Sequence, residues 1–175
     1  PSERAKSCTG GASVSRYQTS PIMEPEELAA VLATRRREEN LTIALANGCF
    51  DLLHPGHIAF LQGAAAEADI LVVGINADDT VRVLKGPGRP IMGGADRARL
   101  VTALGMVDYA TIFAEPTADR LIELLRPNVH CKGTDYKSGV PEKATAHRVG
   151  VRVALVGGPK PHNTTDILHT IQEEA

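Results

Sequence analysis

The sequence has no tryptophan, only three phenylalanines and three tyrosines, and no large excess of charge of either sign. It contains 19 lysines and arginines against 21 aspartates and glutamates, which gives a net charge of −2 at pH 7. Long nucleic acids bind extended basic surfaces, so this near-neutral chain is not expected to bind one. No apolar run reaches the roughly 20 residues that a membrane-spanning helix needs. We therefore expect neither a nucleic-acid partner nor a membrane partner.

Cysteine is also scarce, and its three copies are not spaced like metal ligands. Cys49 and Cys131 lie in apolar, strand-like stretches, whereas Cys8 lies near the N-terminus. For the first two, a buried free thiol is favoured over a reactive or bridged cysteine. Free thiols suit a reducing compartment, so we expect a cytoplasmic protein without a disulfide framework.

The chain has 175 residues, of which 43% are hydrophobic. This length is enough for one soluble domain with a core of its own and too short for two. Residues 1–21 are polar for most of their length and lack the apolar centre of a signal peptide. We therefore predict a flexible N-terminal extension over residues 1–21 and a single domain over residues 22–175.

Apolar runs of strand length alternate with helical patterns from residue 25 onward. The run 70–75 is continuously apolar, which is typical of a strand that is buried on both faces of a parallel sheet. Strands are predicted at 41–46, 70–75, 107–113, 128–132 and 151–156. Helices are predicted at 25–40, 55–68, 95–104, 117–125, 141–149 and 164–173, with a polar and then Gly/Pro-rich connection over 76–94. The alternation predicts an α/β fold with a doubly wound, parallel, five-stranded sheet.

The most informative segment, residues 47–57, joins the first predicted strand to the next helix. It reads Asn-Gly-Cys-Phe-Asp-Leu-Leu-His-Pro-Gly-His. Glycine lets the backbone approach a ligand closely, and His54 and His57 fall on one face of the first helical turn. The unpaired N–H groups of a helix N-terminus attract phosphate. We therefore interpret the segment as a phosphate site. Two surface histidines are the alternative, and a metal site lacks further ligands nearby.

Basic side chains follow the ends of other predicted strands. Lys85 lies in the connection after the second strand, and Lys132 closes the fourth. Ligands of doubly wound sheets bind outside the carboxyl ends of the strands, so both lysines and both histidines should meet in one cleft. A solvated side chain is the alternative for Lys85, and Arg97 is equally compatible with a phosphate contact and with surface charge. Asn76 and Asp78 are weaker candidates for ribose contacts.

These motifs resemble those of a known superfamily. The sequence His-Pro-Gly-His at 54–57 is similar to the H-x-G-H motif of the cytidylyltransferase-like nucleotidylyltransferases, and the likeness spans about residues 42–172. Within that superfamily the chain resembles most the adenylyltransferases that act on heptose 1-phosphate. The stretches that carry this likeness are 73–78, 84–86, 88–90, 97, 107–108 and 132–136. The resemblance implies a Rossmann-like nucleotidyltransferase fold.

The resemblance also implies a reaction: an acceptor phosphate attacks the α-phosphorus of ATP, and pyrophosphate leaves without a protein nucleophile. The implied catalytic residues are His54, His57, Lys85 and Lys132. The implied nucleotide site is Gly48, Cys49, Phe50, His54, Gly56, His57, Lys132, Asn163, Thr164 and Thr165. The implied substrate site is Asp51, Lys85, Arg97, Asp135 and Tyr136. Mg²⁺ is implied as the companion of the triphosphate, without dedicated protein ligands, and a homodimer is implied as the assembly.

Other interpretations stay open at this point. Phe50 is more typical of a core residue, and Asp51 of an anion that orients a neighbour or helps to hold Mg²⁺. A cytidylyltransferase for glycerol 3-phosphate or another polyol phosphate would use CTP, and such relatives have Trp where this chain has Tyr136. A catalytically silent nucleotide-binding module is the alternative of another class, because Ala95 and Asn163 depart from the family pattern. Heptose enzymes are often fused to a kinase, for which this chain has no room, so a standalone or excised transferase is expected.

Overall fold

The protein folds around a five-stranded sheet in which every strand is parallel to its neighbours. The structure is a computed structural model that describes residues 19–136 and 139–158, together with Thr164, Ile167 and Glu173. The strands are β1 (Ile43–Gly48), β2 (Ile70–Asn76), β3 (Tyr109–Phe113), β4 (Val129–Gly133) and β5 (Arg152–Val156). The helices are α1 (Pro25–Glu39), α2 (Pro55–Ala65), α3 (Asp78–Lys85), α4 (Gly94–Thr102), α5 (Asp119–Leu125) and α6 (Lys143–Arg148). The predicted α/β fold is confirmed.

The order of the strands creates a point at which the chain changes direction across the sheet. The order is β3-β2-β1-β4-β5, so the chain moves outward from β1 to β3 and then returns to lie on the other side of β1. All four pairings are parallel. In doubly wound sheets, ligands bind at such a switch point, outside the carboxyl ends of the two strands. Here those strands are β1 and β4.

The apolar runs of the strands bury side chains on both faces of the sheet. In β1, Ala44 and Ala46 face one core, whereas Ile43 and Leu45 face the other. This alternation follows from the two-residue period of a strand. Helices α2 and α4 cover the first face, and helices α1, α5 and α6 cover the second. A strand covered on both faces needs apolar residues at every position, which explains its continuous hydrophobic run.

One prediction about the elements is wrong: the polar connection 76–85 contains helix α3. The helix has Asp78 and Asp79 in its first turn and Arg82 and Lys85 in its last, which suits the helix dipole. The helix is only eight residues long and buries only Thr80 and Val81, so its periodic pattern is too short to stand out in the sequence. Lys85 therefore ends a helix instead of lying in a loop. The helix predicted over 164–173 lies mostly outside the described residues, although Thr164, Ile167 and Glu173 are helical.

The segment before α1 adds a short bridge to the free edge of β3. The Ala110 amide donates to the Pro21 carbonyl at 3.0 Å, and the Met23 amide donates to the Ala110 carbonyl at 2.9 Å. The Ser20 amide donates to the Thr102 carbonyl at 3.2 Å. Ser20 and Pro21 are thus bonded to the domain, although the predicted extension included them. Within the described ranges, no helix combines the length and the apolar character needed to cross a membrane.

Candidate active site

A cleft of about 950 Å³ opens at the carboxyl ends of β1, β2 and β4. It brings together residues that are far apart in the sequence. Those that the sequence predicted for the site are Gly48, Cys49, Phe50, Asp51, His54, His57, the weaker candidate Asn76, Lys85, Lys132, Asp135, Tyr136 and Thr164. Others that line it were not selected: Asn47, Arg89, Pro116, Thr117, Pro141 and Glu142. Gly56 is buried in the first turn of α2 behind the cleft. Asn163 and Thr165 lie outside the described residues.

The turn between β1 and α2 is shaped by Phe50, whose backbone has a φ of 49°. This left-handed conformation is uncommon for a residue with a side chain. The Phe50 ring is buried, and a Cβ atom added to Gly48 would lie 3.2 Å from it. Glycine at 48 therefore gives the ring the space that it occupies. Phe50 is a core residue under the cleft, and its ring centroid lies 5.2 Å from that of His57.

The two histidines lie side by side at the start of α2. Their ring centroids are 3.8 Å apart and their planes differ by 26°, so the rings are stacked. His54 is the N-cap residue, with an extended backbone, and Pro55 begins the helix. His54 is buried and His57 is partly buried. The structure therefore presents both imidazoles to the cleft beside the N–H groups of the helix N-terminus, where an anionic group is favoured.

Asp51 is buried, and both of its carboxylate oxygens are engaged by the segment that follows α3. Oδ1 accepts hydrogen bonds from the Ile91 amide at 2.7 Å and from the Met92 amide at 3.3 Å. Oδ2 lies 2.6 Å from Nε of Arg89 in an ion pair. The direct substrate contact predicted for Asp51 is thus not what the geometry favours. Asp51 orients a neighbouring group, which was the other interpretation of this residue.

Arg97 supports the cleft from behind. Its side chain is fully buried, and it does not line the cleft. Its nitrogens donate to the carbonyls of Met92, Cys49 and Asn76 and to the carboxylate of Asp78, which lies 2.7 Å away. The guanidinium thereby ties together the chain segments that follow β1 and β2. The surface position considered for Arg97 is wrong, and the structure places its guanidinium in this supporting role; the substrate contact stays a prediction.

Lys132 belongs to a buried polar network on the β4 side of the cleft. Its Nζ atom donates to Asn47 Oδ1 and to Glu142 Oε1, each at 3.1 Å. Glu142 Oε1 also accepts from the Ala118 amide at 3.1 Å, and His130 Nε2 lies 3.0 Å from Asn47 Oδ1. Lys132 and Glu142 are almost fully buried. These hydrogen bonds keep the ammonium in one place. Removing one partner of such a buried pair costs about 3–5 kcal/mol.

Burial and charge set the ionisation of this network. Burial lowers the pKa of His130 to about 4, and the Lys132 ammonium acts in the same direction. Burial opposes ionisation of Glu142, but Lys132, the Ala118 amide and His130 together keep the pKa of this carboxyl below its ordinary value. At neutral pH the network therefore contains a neutral imidazole, a carboxylate and an ammonium.

The remaining predicted residues lie on the rim of the cleft. Lys85 is exposed at the end of α3. Tyr136 is exposed, and the ammonium of Lys132 lies 4.8 Å from the centroid of its ring. Asp135 is also exposed, next to Tyr136. The Cys49 thiol faces the cleft, and burial raises its pKa, so it is not poised as a thiolate nucleophile.

Asn47, Arg89 and Glu142 were missed for different reasons. Asn47 and Arg89 occur in stretches that carry the family likeness, and their partners in the fold give them their roles. Glu142 had no signal in the sequence, because its partner Lys132 lies ten residues earlier, on the far side of a loop. The pairing becomes visible only when α6 is placed against β4. Among the described residues, no group of three or more His, Cys, Asp or Glu side chains is placed to hold a metal ion.

Comparison with known proteins gives the class of this one. The family model described as cytidylyltransferase-like matches residues 45–173. The chain belongs to this family and is a nucleotidyltransferase.

Two relatives of similar sequence share one name. The chain is 45% identical to the bifunctional protein HldE of Geotalea uraniireducens over 156 residues, which cover 86% of this chain and 31% of that protein. It is 47% identical to the bifunctional protein HldE of Geobacter metallireducens over 130 residues, which cover 74% of this chain and 26% of that protein. The chain thus spans about three tenths of the length of these relatives.

A solved structure has the same fold. The crystal structure of the lipopolysaccharide core biosynthesis protein from Thermoplasma volcanium superposes with a TM-score of 0.59 at 26% sequence identity. The match covers 69% of this chain and 99% of that one.

Proposed function

We propose that the protein transfers the adenylyl group of ATP to the phosphate of a heptose 1-phosphate and releases pyrophosphate. The observation that carries the proposal is the stacked His54–His57 pair, which faces a cleft that Lys85 and Lys132 also line. The choice of heptose 1-phosphate rests on the likeness of 84–90 and 132–136 to that branch of the family and on relatives named HldE. The homodimer and the cytoplasmic location stay predictions.

The chemistry needs positioning and charge stabilisation more than it needs a nucleophile. An oxygen of the acceptor phosphate forms a bond to the α-phosphorus, and the bond from this phosphorus to the oxygen that bridges to the β-phosphate breaks. Both electrons of the broken bond leave with pyrophosphate. Negative charge grows on the oxygens around the α-phosphorus and on the leaving group. The two imidazoles and the α2 N-terminus are suited to donate hydrogen bonds to these oxygens.

The switch point supports a division of the cleft into two sides. Nucleotides of doubly wound folds bind at the switch point, which here lies between β1 and β4. Lys132 lies at the end of β4, and its ammonium suits a phosphate of the nucleotide. Thr164 lines the same cleft. The acceptor substrate then occupies the β2 side of the cleft, where Lys85 is the last residue of α3.

We also propose that Mg²⁺ acts together with the triphosphate. The described residues fit a metal bound by phosphate and water, because the buried carboxylates of Asp51 and Glu142 already have cationic partners. The ion neutralises the triphosphate and polarises the leaving group. Asp51, Glu142 and the two histidines therefore keep their roles in shaping the cleft whether or not the ion is bound.

The test is a turnover screen that measures pyrophosphate release. ATP and CTP are each paired with heptose 1-phosphates, glycerol 3-phosphate and other polyol phosphates. Turnover with ATP and a heptose 1-phosphate is expected to exceed every other pair. A clear preference for CTP with glycerol 3-phosphate would instead establish the cytidylyltransferase alternative. Nucleotide binding without pyrophosphate release from any pair would establish the silent binding module.

The roles of the histidines are tested in the same assay with matched variants. His57→Ala is expected to lower kcat by about 10²–10³-fold, the size of effect that follows loss of one preorganised donor to a transition state. The control is His147→Ala, because His147 is an exposed histidine in α6 outside the cleft. The variant at position 147 should keep the turnover of the parent protein. Unchanged turnover in His57→Ala would contradict the proposed site.

A further inference from the structure

Arg89 is a cleft residue with unused hydrogen-bonding capacity. It lies in the Gly-Arg-Pro step after α3, and its side chain is 14% exposed. Its Nε atom is paired with Asp51 Oδ2 at 2.6 Å. Among the described residues, the terminal nitrogens of this guanidinium have no other hydrogen bond or ion pair in the structure. A guanidinium has five N–H donors in a planar fork, so most of its donors are available to a ligand in the cleft.

We propose that Arg89 binds the phosphate of the acceptor substrate and that Asp51 is its positioning residue. This inference rests on the proposed function, because it assigns the acceptor to one side of that cleft. Arg89 and Lys85 both follow β2 in the chain, and β2 lies on the side of β1 away from the switch point. Lys132 lies across β1 at the end of β4. Because the nucleotide occupies the switch point in the proposed function, Arg89 is available to bind the phosphate of the acceptor substrate.

The chemistry of the pair favours a phosphate over a neutral group. The planar guanidinium fork matches two phosphate oxygens, and it remains charged at every working pH. The carboxylate beside Nε, which forms an ion pair with it at 2.6 Å, neutralises only part of this charge. Asp51 is itself fixed, because its other oxygen accepts from the Ile91 and Met92 amides. The loop and the arginine are thus both linked through Asp51 to the histidine-bearing turn.

Steady-state kinetics separate this role from a structural one. We expect Arg89→Gln to raise the KM for heptose 1-phosphate by at least about tenfold, the effect of losing one hydrogen bond to a charged group, while the KM for ATP changes by less than about threefold. Arg89→Lys should recover part of the loss, since it restores the charge without the fork. Arg82→Gln is the control, because Arg82 is an exposed arginine of α3 that does not line the cleft. A raised KM for ATP with an unchanged KM for the acceptor would overturn the assignment.

The role of Asp51 is tested with a double variant. Asp51→Asn keeps an oxygen for the two backbone amides but removes the charge that holds Arg89. We expect it to raise the KM for the acceptor as well, and we expect Asp51→Asn/Arg89→Gln to be no worse than Arg89→Gln alone. Residues that act as a unit give such non-additive effects. Fully additive losses would show that Asp51 acts independently of Arg89 and would overturn its positioning role.

A binding measurement keeps the inference separate from the proposed function. The protein is saturated with α,β-methylene-ATP and titrated with inorganic phosphate in a calorimeter. Arg89→Gln should weaken phosphate binding by at least about tenfold, and Arg82→Gln should not. Equal affinity in the parent protein and in Arg89→Gln would overturn the inference. If the parent protein showed no turnover with heptose 1-phosphate but Arg89→Gln still weakened phosphate binding, the proposed function would fail and the phosphate site at Arg89 would stand.

Discussion

At the scale of single residues, the side-chain oxygen of Asn47 lies between two side chains of β4. Asn47 Oδ1 accepts from Lys132 Nζ and lies 3.0 Å from His130 Nε2. A carbonyl oxygen only accepts, so the neutral His130 ring must carry its proton on Nε2. His130 is fully buried, and protonation of its other nitrogen would place a second positive charge close to Lys132. Burial is the main cause of its low pKa, and the imidazole is therefore a neutral support for Asn47 at neutral pH.

This gives a prediction for the dependence of stability on pH. The unfolded chain binds a proton at His130 near pH 6.5, but the folded protein does so only near pH 4. Between these values the unfolded state binds more protons, so the free energy of unfolding rises with pH, by up to about 1.4 kcal/mol per unit for this one group. The stability contributed by neutral His130 is thus present above pH 6.5 and is lost as pH falls towards 4.

Urea unfolding at pH 7, 5.5 and 4.5 checks this prediction. His130→Asn removes the titrating ring, so the slope of its stability against pH should be smaller than that of the parent protein by nearly one proton. His147→Asn is the control, because His147 is exposed and should leave the slope unchanged. The same slope in His130→Asn as in the parent protein would mean that folding does not lower the pKa of His130, so that the ring binds its proton over the same pH range in both states.

At the scale of elements, the sequence predicts the strands better than the short polar helices. Residues 70–75 form β2 as expected, because a short and continuously apolar run is typical of a strand that is buried on both faces of a parallel sheet. Helix α3 was missed, since it has only eight residues, of which Thr80 and Val81 are buried, and its charges are placed to suit the helix ends. The same limit applies to Arg97. Its sequence context cannot show that α4 directs it inward to the Cys49 and Asn76 carbonyls.

The packing of α2 against the end of β5 gives a graded prediction at this scale. Gly157 has a φ of 95°, and a Cβ atom there would lie 2.7 Å from Cα of Phe60. Gly158 has a φ of 66°, and a Cβ atom there would have no atom within 4 Å. Gly105 has neither a left-handed backbone nor a close neighbour. Substitution by alanine should therefore be almost neutral at 105, cost about 1 kcal/mol at 158, and cost well above that at 157.

Thermal or urea unfolding of the three alanine variants measures this order. The variant at 105 controls for the general effect of alanine on the unfolded chain, and the variant at 158 controls for the left-handed backbone alone. The difference between 157 and 158 then reports the close approach of helix and strand. Equal losses at 157 and 158 would show that α2 can move away from β5 without cost.

At the scale of the whole molecule, the candidate site lies over the shortest pairing in the sheet. The register of β1 with β4 runs from Ala44 opposite Val129 to Ala46 opposite Cys131, whereas its register with β2 extends along the whole of β1. The switch point that favours ligand binding is thus also the seam between two parts of the sheet. The sequence predicts the convergence of strand ends at one cleft, but it cannot show which pairing is short, because register depends on how the helices pack.

The last prediction follows from this seam. A nucleotide that contacts both β1 and β4 should suppress any opening that separates these strands, by up to the stabilisation of about 2.7 kcal/mol expected at one hundred times Kd. With α,β-methylene-ATP at that concentration, amide hydrogen exchange should slow more in β4 and β5 than in β2 and β3. The reason is that local opening at the seam exposes β4 and β5 without global unfolding. Exchange measured by mass spectrometry checks this, with α,β-methylene-CTP as the comparison ligand. Unchanged exchange in β4 and β5 would mean that opening between β1 and β4 leaves the nucleotide bound, and would place the nucleotide elsewhere in the cleft.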